Sequence, residues 1–362
     1  MWINIKLYFL INSGVIMGNK NTIIFIGPMG GGGIPTNGAS VKNYYIVKKL
    51  RECAVDLILV DTERWKKNPL VLLKLLYVII FNPKAKYILS LNSMSAYRVL
   101  SFFNFLPTKR CVYYWTIGGS VANWILDGKV SAKVYKVVYK FLVEGTSMVE
   151  SLRKCGFNNA ICVPNFKNIE FIPQKQNRNK KVRFLFLSRI NPLKGCDYIL
   201  DCAKKLNMQF SYDFEIDFYG EIASNYLDFL TKIDALPNVN YKGFIDLRKS
   251  ENYNLLAQYD VMLFPTYWPG EGFPGILIDA FIAGLPVIAS DWHLNKDIIS
   301  NGKTGFLVKA NDEEDLYKMM GKCIQNPAIV RSMSENCQRE AKKYDTNAVI
   351  TYSLFKDINL FN

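Results

Sequence analysis

The sequence predicts an α/β protein made of two doubly wound domains, and three observations support this fold. Short runs of Val, Ile, Leu and Phe alternate with longer segments of helical periodicity along nearly the whole chain. Buried parallel strands joined by crossover helices produce this alternation. One polar segment, PQKQNRNKK at 173–181, interrupts it near the middle. The length of 362 residues also suits two domains of ~180 residues better than one.

The polar interruption and the apolar pattern define five predicted segments. In chain order they cover residues 1–16, 17–172, 173–181, 182–345 and 346–362. We expect the first to be a dispensable extension or a membrane tether, because its apolar run is short, lacks a charged flank and has no small-residue cleavage site. The second and fourth are predicted Rossmann-like domains joined by a linker. The last is expected to form a C-terminal helix that could pack back on the N-terminal domain.

Each predicted strand is a short apolar run bounded by polar or turn residues. In the first domain, strands are expected at 22–27, 55–60, 85–91, 110–115, 141–145 and 160–164, and helices near 38–50, 70–81, 93–104, 130–140 and 146–154. In the second domain, strands are expected at 182–190, 214–220, 239–244, 260–265, 286–290 and 304–308, and helices near 195–206, 224–235, 248–258, 274–283 and 312–325. Two such domains would face a central cleft, with ligands at the carboxyl ends of the strands.

The composition excludes several classes of site. The chain has a single histidine, His293, so no site can use two histidines. Its eight cysteines include no C-x-x-C pair, which argues against a zinc ribbon, a thioredoxin-type motif and a disulfide scaffold. No uncharged apolar stretch of ~20 residues occurs in the sequence, so no membrane-spanning helix is predicted.

Positive charge is concentrated in the first half of the chain. Residues 1–180 carry 25 Lys and Arg against 8 Asp and Glu, whereas residues 181–362 carry 20 against 23. The net charges of the halves are therefore +17 and −3. Such a field favours a nucleic acid or an anionic membrane as partner, and a basic but otherwise ordinary surface is the alternative.

The segment LFPTYWPGEGFPGILIDAFIAGLPVIASD at 263–291 has the densest chemical signal. It is predicted to form a strand, a loop, a helix with Pro274 in its first turn, and a second strand. The loop Gly270–Gly275 would leave backbone amides free at a helix N-terminus, which is an anion site. Glu271 and Asp279 would repel a phosphate, so we expect their carboxylates to bind sugar hydroxyls.

The loop SRINPLKG at 188–195, after the first strand of the second domain, carries Arg189 and Lys194. Arg can bind a phosphate bidentately, and Lys can act as a mobile point charge. Together they could neutralise a nucleoside diphosphate without a divalent metal. The nearest approach to a D-x-D motif, Glu215-Ile216-Asp217, lies inside a predicted strand.

These motifs resemble the signature of the family 4-like retaining glycosyltransferases of the GT-B fold. That signature has a Glu, Gly-Phe-Pro, a second Glu after seven intervening residues, and a Gly-x-Pro-Val-Ile-Ala strand. The matching residues are Glu271, Gly272-Phe273-Pro274, Asp279 in place of the second Glu, Gly284-Leu285-Pro286-Val287-Ile288-Ala289, the basic pair Arg189 and Lys194, and GKTGFLV at 302–308. The resemblance covers roughly residues 180–310, and the first domain agrees in architecture.

The resemblance implies roles for the matching residues. Glu271 would contact donor-sugar hydroxyls and form the catalytic set with Arg189 and Lys194, while Asp279 would hydrogen-bond the nucleotide ribose. The segment Gly272, Phe273, Pro274 and Gly275 would present backbone amides to the sugar or the diphosphate. In the mechanism implied for this family, the leaving phosphate helps to deprotonate the acceptor hydroxyl on the same face of the sugar. No enzymic base, metal ion or other cofactor is then expected.

The first domain contributes a Gly-rich turn, GPMGGGGIPTNGAS at 27–40. Glycine allows the backbone to approach a phosphate or sugar closely, so Gly33 and Gly38 are predicted donor contacts, with a flexible surface loop as the alternative. The family often has a His after a middle strand, where this chain has Trp-Thr-Ile-Gly-Gly, so Thr116 and Gly118 are the acceptor-side candidates. His293 is expected on a surface loop of the second domain without a catalytic role.

The segment LVLLKLLYVIIF at 70–81 contains one charge and follows Trp65, Lys66 and Lys67. Together with a second apolar stretch at 97–106 and the basic first half, it predicts a surface that docks on an anionic leaflet. A core helix is the alternative for either stretch.

Together these features predict a retaining, metal-independent hexosyl- or related glycosyltransferase that uses a nucleotide-diphosphate sugar. The expected acceptor is a lipid-linked glycan, a polyprenyl-diphosphate oligosaccharide of capsule, O-antigen, lipopolysaccharide or exopolysaccharide synthesis. The expected location is the cytoplasm, peripherally on the inner face of the plasma membrane, with no nucleic acid partner. The alternatives are another GT-B enzyme, such as a sugar-nucleotide epimerase or a soluble disaccharide synthase, and a basic nucleic-acid-binding protein.

Overall fold

The computed structural model describes residues 22–35, 37–53, 55–174 and 181–361. The chain divides into two units: the first ends at Asn165 and resumes at Val349, and the second spans Phe166–Ala348. The predicted extension at 1–16 and most of the predicted linker, 175–180, lie outside the described residues.

In the described residues, the first unit contains a six-stranded parallel sheet. Its strands are β1 (Ile23–Gly27), β2 (Leu57–Asp61), β3 (Lys86–Asn92), β4 (Cys111–Ile117), β5 (Val138–Val143) and β6 (Ala160–Cys162), in the order β2-β1-β3-β4-β5-β6. Its helices are Gly38–Glu52, Leu70–Phe81, Ser93–Asn104, Val121–Leu126 and Thr146–Lys154, with a 3-10 helix at Ala132–Val137. The strand order reverses between β1 and β3, so the Gly-rich loop after β1 lies at a topological switch point.

Strand β4 lies in the centre of this sheet and supplies much of its core. Tyr113, Tyr114 and Trp115 are fully buried. Because helices cover both faces of a parallel sheet, a central strand is apolar at successive positions rather than at alternate ones. Burial of each such side chain stabilises the fold by about 1.5–3 kcal/mol.

The prediction of a single helix near 130–140 is wrong. The chain forms the helix Val121–Leu126 and the 3-10 helix Ala132–Val137, and then enters β5 at Val138. The pair Val137-Val138 is β-branched at both positions, which favours an extended backbone over a helical one.

The segment after the second unit packs on the first sheet. Lys86 Nζ donates to the carbonyl oxygens of Asn359 and Leu360, both at 3.0 Å. The Tyr113 hydroxyl donates to the Asn359 carbonyl at 2.7 Å. Residues 349–361, including the helix Tyr352–Asp357, are therefore an integral part of the first unit.

The second unit is also built on a six-stranded parallel sheet. Its strands are β7 (Val182–Leu187), β8 (Phe214–Tyr219), β9 (Val239–Tyr241), β10 (Val261–Phe264), β11 (Val287–Ser290) and β12 (Gly305–Val308), in the order β12-β11-β10-β7-β8-β9. Its helices are Cys196–Phe210, Phe229–Asp234, Tyr253–Leu256, Gly275–Ile282, Asn295–Ile298, Glu313–Gln325, Ala328–Arg331, Ser334–Ala341 and Thr346–Val349, with 3-10 helices at Pro192–Lys194, Ser250–Asn252 and Lys342–Tyr344. The order reverses between β7 and β10, which is the switch point of this sheet.

The helix Leu70–Phe81 forms at its predicted bounds, whereas the helices predicted at 224–235 and 248–258 are much shorter in the structure. Over the ranges that the structure describes, no helix combines the length and the apolar character needed to cross a bilayer.

Candidate active site

Two loops lie side by side at the switch point of the second sheet. Strand β7 leads into the loop that carries Arg189 and Lys194, and β10 leads into the loop that carries Glu271. Because β7 and β10 are neighbouring parallel strands, both loops leave the same edge of the sheet. Ligands of doubly wound sheets bind at this edge.

Local backbone geometry fixes the position of Lys194. The Asn191 side chain accepts a hydrogen bond from the Lys194 backbone N–H at 3.2 Å and caps the turn Pro192–Lys194. Gly195 follows with φ +79°, in the left-handed region that favours glycine. A Cβ at Gly195 would lie 2.3 Å from the carbonyl oxygen of Pro265. Glycine therefore lets the β7 loop lie directly on the chain that leaves β10.

Lys194 and Glu271 form an ion pair between Nζ and Oε2, and their side chains are only 13% and 12% exposed. Thr266 Oγ1 donates to the same carboxylate oxygen at 3.1 Å. The Lys194 ammonium also lies 5.6 Å from the ring centroid of Phe264 and 6.0 Å from that of Trp268. Shielding from water strengthens such a pair, so the two charges are held in place before any ligand arrives.

Arg189 is placed differently. Its side chain is 64% exposed, and its Nη2 lies 3.5 Å from Oε2 of Glu221, whose side chain is 77% exposed. An exposed pair of this kind contributes about 0–1 kcal/mol, so the guanidinium is available to an incoming anion. The sequence predicts Lys194 as the mobile charge, but in the structure Lys194 is held and Arg189 is the less constrained cation.

The loop after Glu271 is ordered by packing. Phe273 is buried, and its ring lies edge-on to Tyr344 with 5.5 Å between centroids. Pro274 occupies the cap position, one residue before the first helical turn expected for it, and the helix begins at Gly275. Within Gly272–Gly275, the Phe273 side chain serves packing, so backbone groups remain the candidates for donor contacts.

Asp279 is 2% exposed, and both its oxygens already have partners. The Tyr253 hydroxyl donates to Oδ1 at 2.6 Å, and Lys167 Nζ pairs with Oδ2 at 2.8 Å. Each carboxylate oxygen has a further lone pair. A ribose hydroxyl would therefore have to share this carboxylate with Tyr253 and Lys167.

His293 was not identified as a site residue from the sequence, because a lone histidine after a strand has no distinguishing pattern. In the structure its ring hydrogen-bonds the Pro269 carbonyl and interacts electrostatically with Glu271. The adjacent Trp292 Nε1 donates to the Trp268 carbonyl at 2.8 Å, and this hydrogen bond joins the loop after β11 to the loop that carries Glu271. Among the described residues, His293 Nε2 is buried without a hydrogen-bond partner.

Burial lowers the pKa of His293 below its usual value, while the Glu271 carboxylate and the Pro269 carbonyl act in the opposite direction. The unfolded chain therefore takes up this proton first, and stability present above a pH of about 6.5 is lost as the pH falls through the folded-state pKa. His293→Asn, which tolerates the observed φ of +48°, should flatten the change in urea midpoint between about pH 7 and about pH 5. If the variant keeps the wild-type pH profile, the loss of stability at low pH belongs to another titratable group.

Asp217, from the nearest approach to D-x-D, is unavailable to a ligand. It is buried in β8, where the Tyr259 hydroxyl donates to Oδ2 at 2.7 Å and Arg183 Nη2 lies 3.3 Å from the same oxygen. Within the described part of the chain, no group of three or more His, Cys, Asp and Glu side chains is placed to hold a metal ion.

The candidates of the first unit differ in accessibility. Thr116 is fully buried, and its hydroxyl donates to the Leu142 carbonyl at 3.3 Å. Gly118 has φ +82°, and among the described residues no atom lies within 4 Å of where its Cβ would be, so it lies open. The Gly33 N–H donates to the Gly30 carbonyl at 3.1 Å, and Gly38 begins the helix that Asn37 caps. A direct contact between Thr116 and an acceptor would require the Thr116 hydroxyl to give up its hydrogen bond to the Leu142 carbonyl.

Residues 168–344 match the family model described as glycosyl transferases group 1. This range lies within the second unit and contains all the charged residues discussed above at its switch point.

Two proteins illustrate the sequence similarity. An uncharacterized 41.2 kDa protein in the cps region of Klebsiella pneumoniae is 29% identical over 196 residues, which cover 54% of this chain and 47% of that protein. The N,N'-diacetylbacillosaminyl-diphospho-undecaprenol alpha-1,3-N-acetylgalactosaminyltransferase of Campylobacter jejuni is 23% identical over 335 residues, which cover 83% of this chain and 85% of that protein. The alignment thus spans about half the length of the first relative and most of the second.

A solved structure illustrates the fold. Anabaena HepE in complex with UDP and glucose superposes with a TM-score of 0.68 at 14% identity, covering 94% of this chain and 100% of that one. The resemblance inferred from the motifs is confirmed over residues 168–344, which match glycosyl transferases group 1, and the chain has the GT-B fold that it shares with HepE.

Proposed function

We propose that this glycosyltransferase moves a sugar from a nucleotide-diphosphate sugar to a polyprenyl-diphosphate-linked glycan with retention of configuration, without a metal ion or other cofactor. The observation that carries the proposal is the preformed Lys194–Glu271 pair beside the exposed Arg189 at the switch point of the second sheet. Two cations and a sugar-binding carboxylate are the groups that a nucleotide-sugar donor requires.

The two cations suit a diphosphate leaving group. When the bond between the sugar carbon and the phosphate oxygen breaks, negative charge grows on that oxygen. Arg189 can meet this charge with paired N–H donors, and Lys194 can meet it with an ammonium that is already in place. The leaving phosphate can then accept the proton of an acceptor hydroxyl on the same face of the sugar, which retains the configuration.

Glu271 suits the sugar rather than the phosphate. Its carboxylate is paired with Lys194 and accepts from Thr266, so its remaining lone pairs can accept hydrogen bonds from sugar hydroxyls. We assign Asp279 to the nucleotide ribose on the same reasoning, with Tyr253 and Lys167 fixing its orientation.

The relatives support the class of acceptor. The Campylobacter protein is named for a diphospho-undecaprenol acceptor, and the Klebsiella protein lies in a cps region. We therefore assign this chain to surface polysaccharide synthesis on a polyprenyl-diphosphate carrier at the inner face of the plasma membrane.

A transfer assay with a panel of UDP- and GDP-sugars and a synthetic polyprenyl-diphosphate-linked acceptor tests the proposal. We expect one donor to give a product whose anomeric configuration, measured by NMR, matches that of the donor, and we expect full activity in EDTA. An inverted product would refute retention, loss of activity in EDTA would refute metal independence, and no transfer from any donor would refute the function.

The helix Leu70–Phe81 supports docking on the membrane. Only Leu75, Val78 and Ile79 of this helix are buried. Its large apolar side chains at more than a third exposure are Leu70, Leu72, Leu73, Leu76, Ile80 and Phe81. The second apolar stretch instead packs inward through Leu100 and Phe103, leaving Phe105 exposed. An apolar helix face beside exposed lysines matches shallow insertion into an anionic leaflet.

Reversing the charge of Lys66 and Lys67 to Glu should weaken binding to phosphatidylglycerol-containing vesicles by at least ~30-fold, because each lysine near such a surface contributes about 1 kcal/mol. Co-sedimentation at low and high salt measures the effect, and the same reversal at the exposed Lys204 and Lys318 of the second unit is the matched control. Equal losses in both variants, or wild-type binding that added salt does not weaken, would contradict docking through this helix.

A further inference from the structure

The Gly-rich loop after β1 has already used several of its backbone amides. The N–H groups of Met29 and Gly31 donate to Asp61 Oδ1 and Oδ2 at 2.9 and 2.8 Å. The N–H of Gly33 donates to the Gly30 carbonyl. An internal carboxylate from the end of β2 thus occupies the place that a phosphate would take in an amide nest. The loop therefore needs another group to attract an anion.

The position of Arg64 allows its side chain to attract an anion to this loop. A Cβ at Gly31 would lie 2.6 to 2.7 Å from Cγ, Cδ and Nε of Arg64, so the arginine side chain lies directly on this glycine. The Arg64 Nη2 lies 3.8 Å from the corresponding position at Gly33. For Gly32, which lies between them, no atom of the described residues is within 4 Å of where a Cβ would be. The guanidinium therefore lies against the loop, next to open space.

The acids near Arg64 are used elsewhere. Asp61 binds the loop amides, and Glu63 Oε1 accepts from the Asn37 side chain at 2.8 Å. Arg64 is exposed, and among the described residues its guanidinium has no hydrogen-bond or ion-pair partner. An arginine held on a glycine loop with all its side-chain donors unused is arranged for a bidentate oxyanion.

We propose that Arg64 and the adjoining Gly31–Gly33 surface form a diphosphate subsite in the first unit. This subsite rests on the proposed function, which supplies two diphosphates: that of the nucleotide-sugar donor and that of the polyprenyl carrier. Arg64 is followed directly by Trp65, Lys66 and Lys67 and then by the helix Leu70–Phe81, which is the segment proposed to dock on the membrane.

Titration calorimetry of Arg64→Ala against wild-type protein tests the subsite, with UDP as the donor probe and farnesyl diphosphate as the carrier probe. Loss of one bidentate, charge-assisted contact should weaken binding by ~10-fold or more. A loss confined to farnesyl diphosphate assigns the subsite to the carrier, and a loss confined to UDP assigns it to the donor. Arg64→Lys should recover part of the affinity, because it restores the charge without the paired donors.

Arg98→Ala is the matched control, since Arg98 is an exposed arginine in the helix Ser93–Asn104 of the same unit. Unchanged affinity of Arg64→Ala for both probes, equal losses in the Arg98 variant, or no binding of either probe to wild-type protein would overturn the subsite. Neither titration requires sugar transfer. Binding through Arg64 without any transferase activity would refute the proposed function alone, whereas transfer with unchanged Arg64→Ala affinities would refute the subsite alone.

Discussion

Lys194→Ala is expected to lower kcat/KM for sugar transfer by about 30- to 1000-fold, which corresponds to about 2–4 kcal/mol of transition-state stabilisation. Two losses combine. The ammonium proposed to meet the leaving phosphate is removed, and the shielded Glu271 carboxylate loses its counter-charge while it keeps the hydrogen bond from Thr266. A carboxylate that loses its counter-charge in such a place is destabilised. Steady-state kinetics with the nucleotide sugar measure the effect.

The matched control is Lys204→Ala, which removes a lysine that is 57% exposed and paired with Asp201 in the same unit. It should retain wild-type kinetics. The double variant Lys194→Ala with Glu271→Gln should lose less than the two single variants together, because residues in direct contact are energetically coupled. Wild-type kcat/KM in Lys194→Ala would show that Lys194 does not act on the donor, and strictly additive losses would show that Lys194 and Glu271 act independently rather than as a pair.

Gly195→Ala is expected to reduce the free energy of unfolding of the second unit by about 3 kcal/mol or more. A left-handed backbone costs alanine about 1–2 kcal/mol. The added methyl group also meets the Pro265 carbonyl oxygen at 2.3 Å, and a backbone atom cannot rotate away as a side chain can. The loops after β7 and β10 must therefore separate, so transfer activity should fall with stability.

Gly302→Ala separates these two costs. Gly302 has φ +76°, almost the same as Gly195, but no atom of the described residues lies within 4 Å of its Cβ position. Urea unfolding followed by tryptophan fluorescence should show only the backbone cost at Gly302 and a larger loss at Gly195. If both variants lose the same stability, the contact between Gly195 and Pro265 contributes nothing.

The features predicted correctly from the sequence are local ones. Each central strand is a continuous apolar run, as in Val112–Trp115, because both faces of a parallel sheet are covered. The bounds of Leu70–Phe81 were predicted from an apolar segment that follows a proline and contains Lys74 as its one charge. The basic pair and the Glu271 loop were recognised because they match a family signature, and each part of that signature lies in the turn after a single strand.

The contacts that could not be predicted from the sequence depend on which strands are neighbours in each sheet. Asp61 reaches the Gly-rich loop across 32 residues, and Tyr253 reaches Asp279 across 26. His293 interacts electrostatically with Glu271 because the loops after β10 and β11 leave adjacent strands. Apolar periodicity predicts that strands exist but carries no information on their order, so these contacts could not be inferred from it.

The return of residues 349–361 to the first sheet makes the first unit discontinuous, with the whole of Phe166–Ala348 inserted within it. During synthesis, Lys86 and Tyr113 cannot bind the Asn359 carbonyl until the second unit has left the ribosome. The second unit can complete its sheet while the first still lacks its last segment, so the later unit in the sequence can mature earlier. An exchange of second units between related chains therefore needs two junctions, one near Asn165 and one near Val349, and truncation at the first junction alone would leave the first unit incomplete.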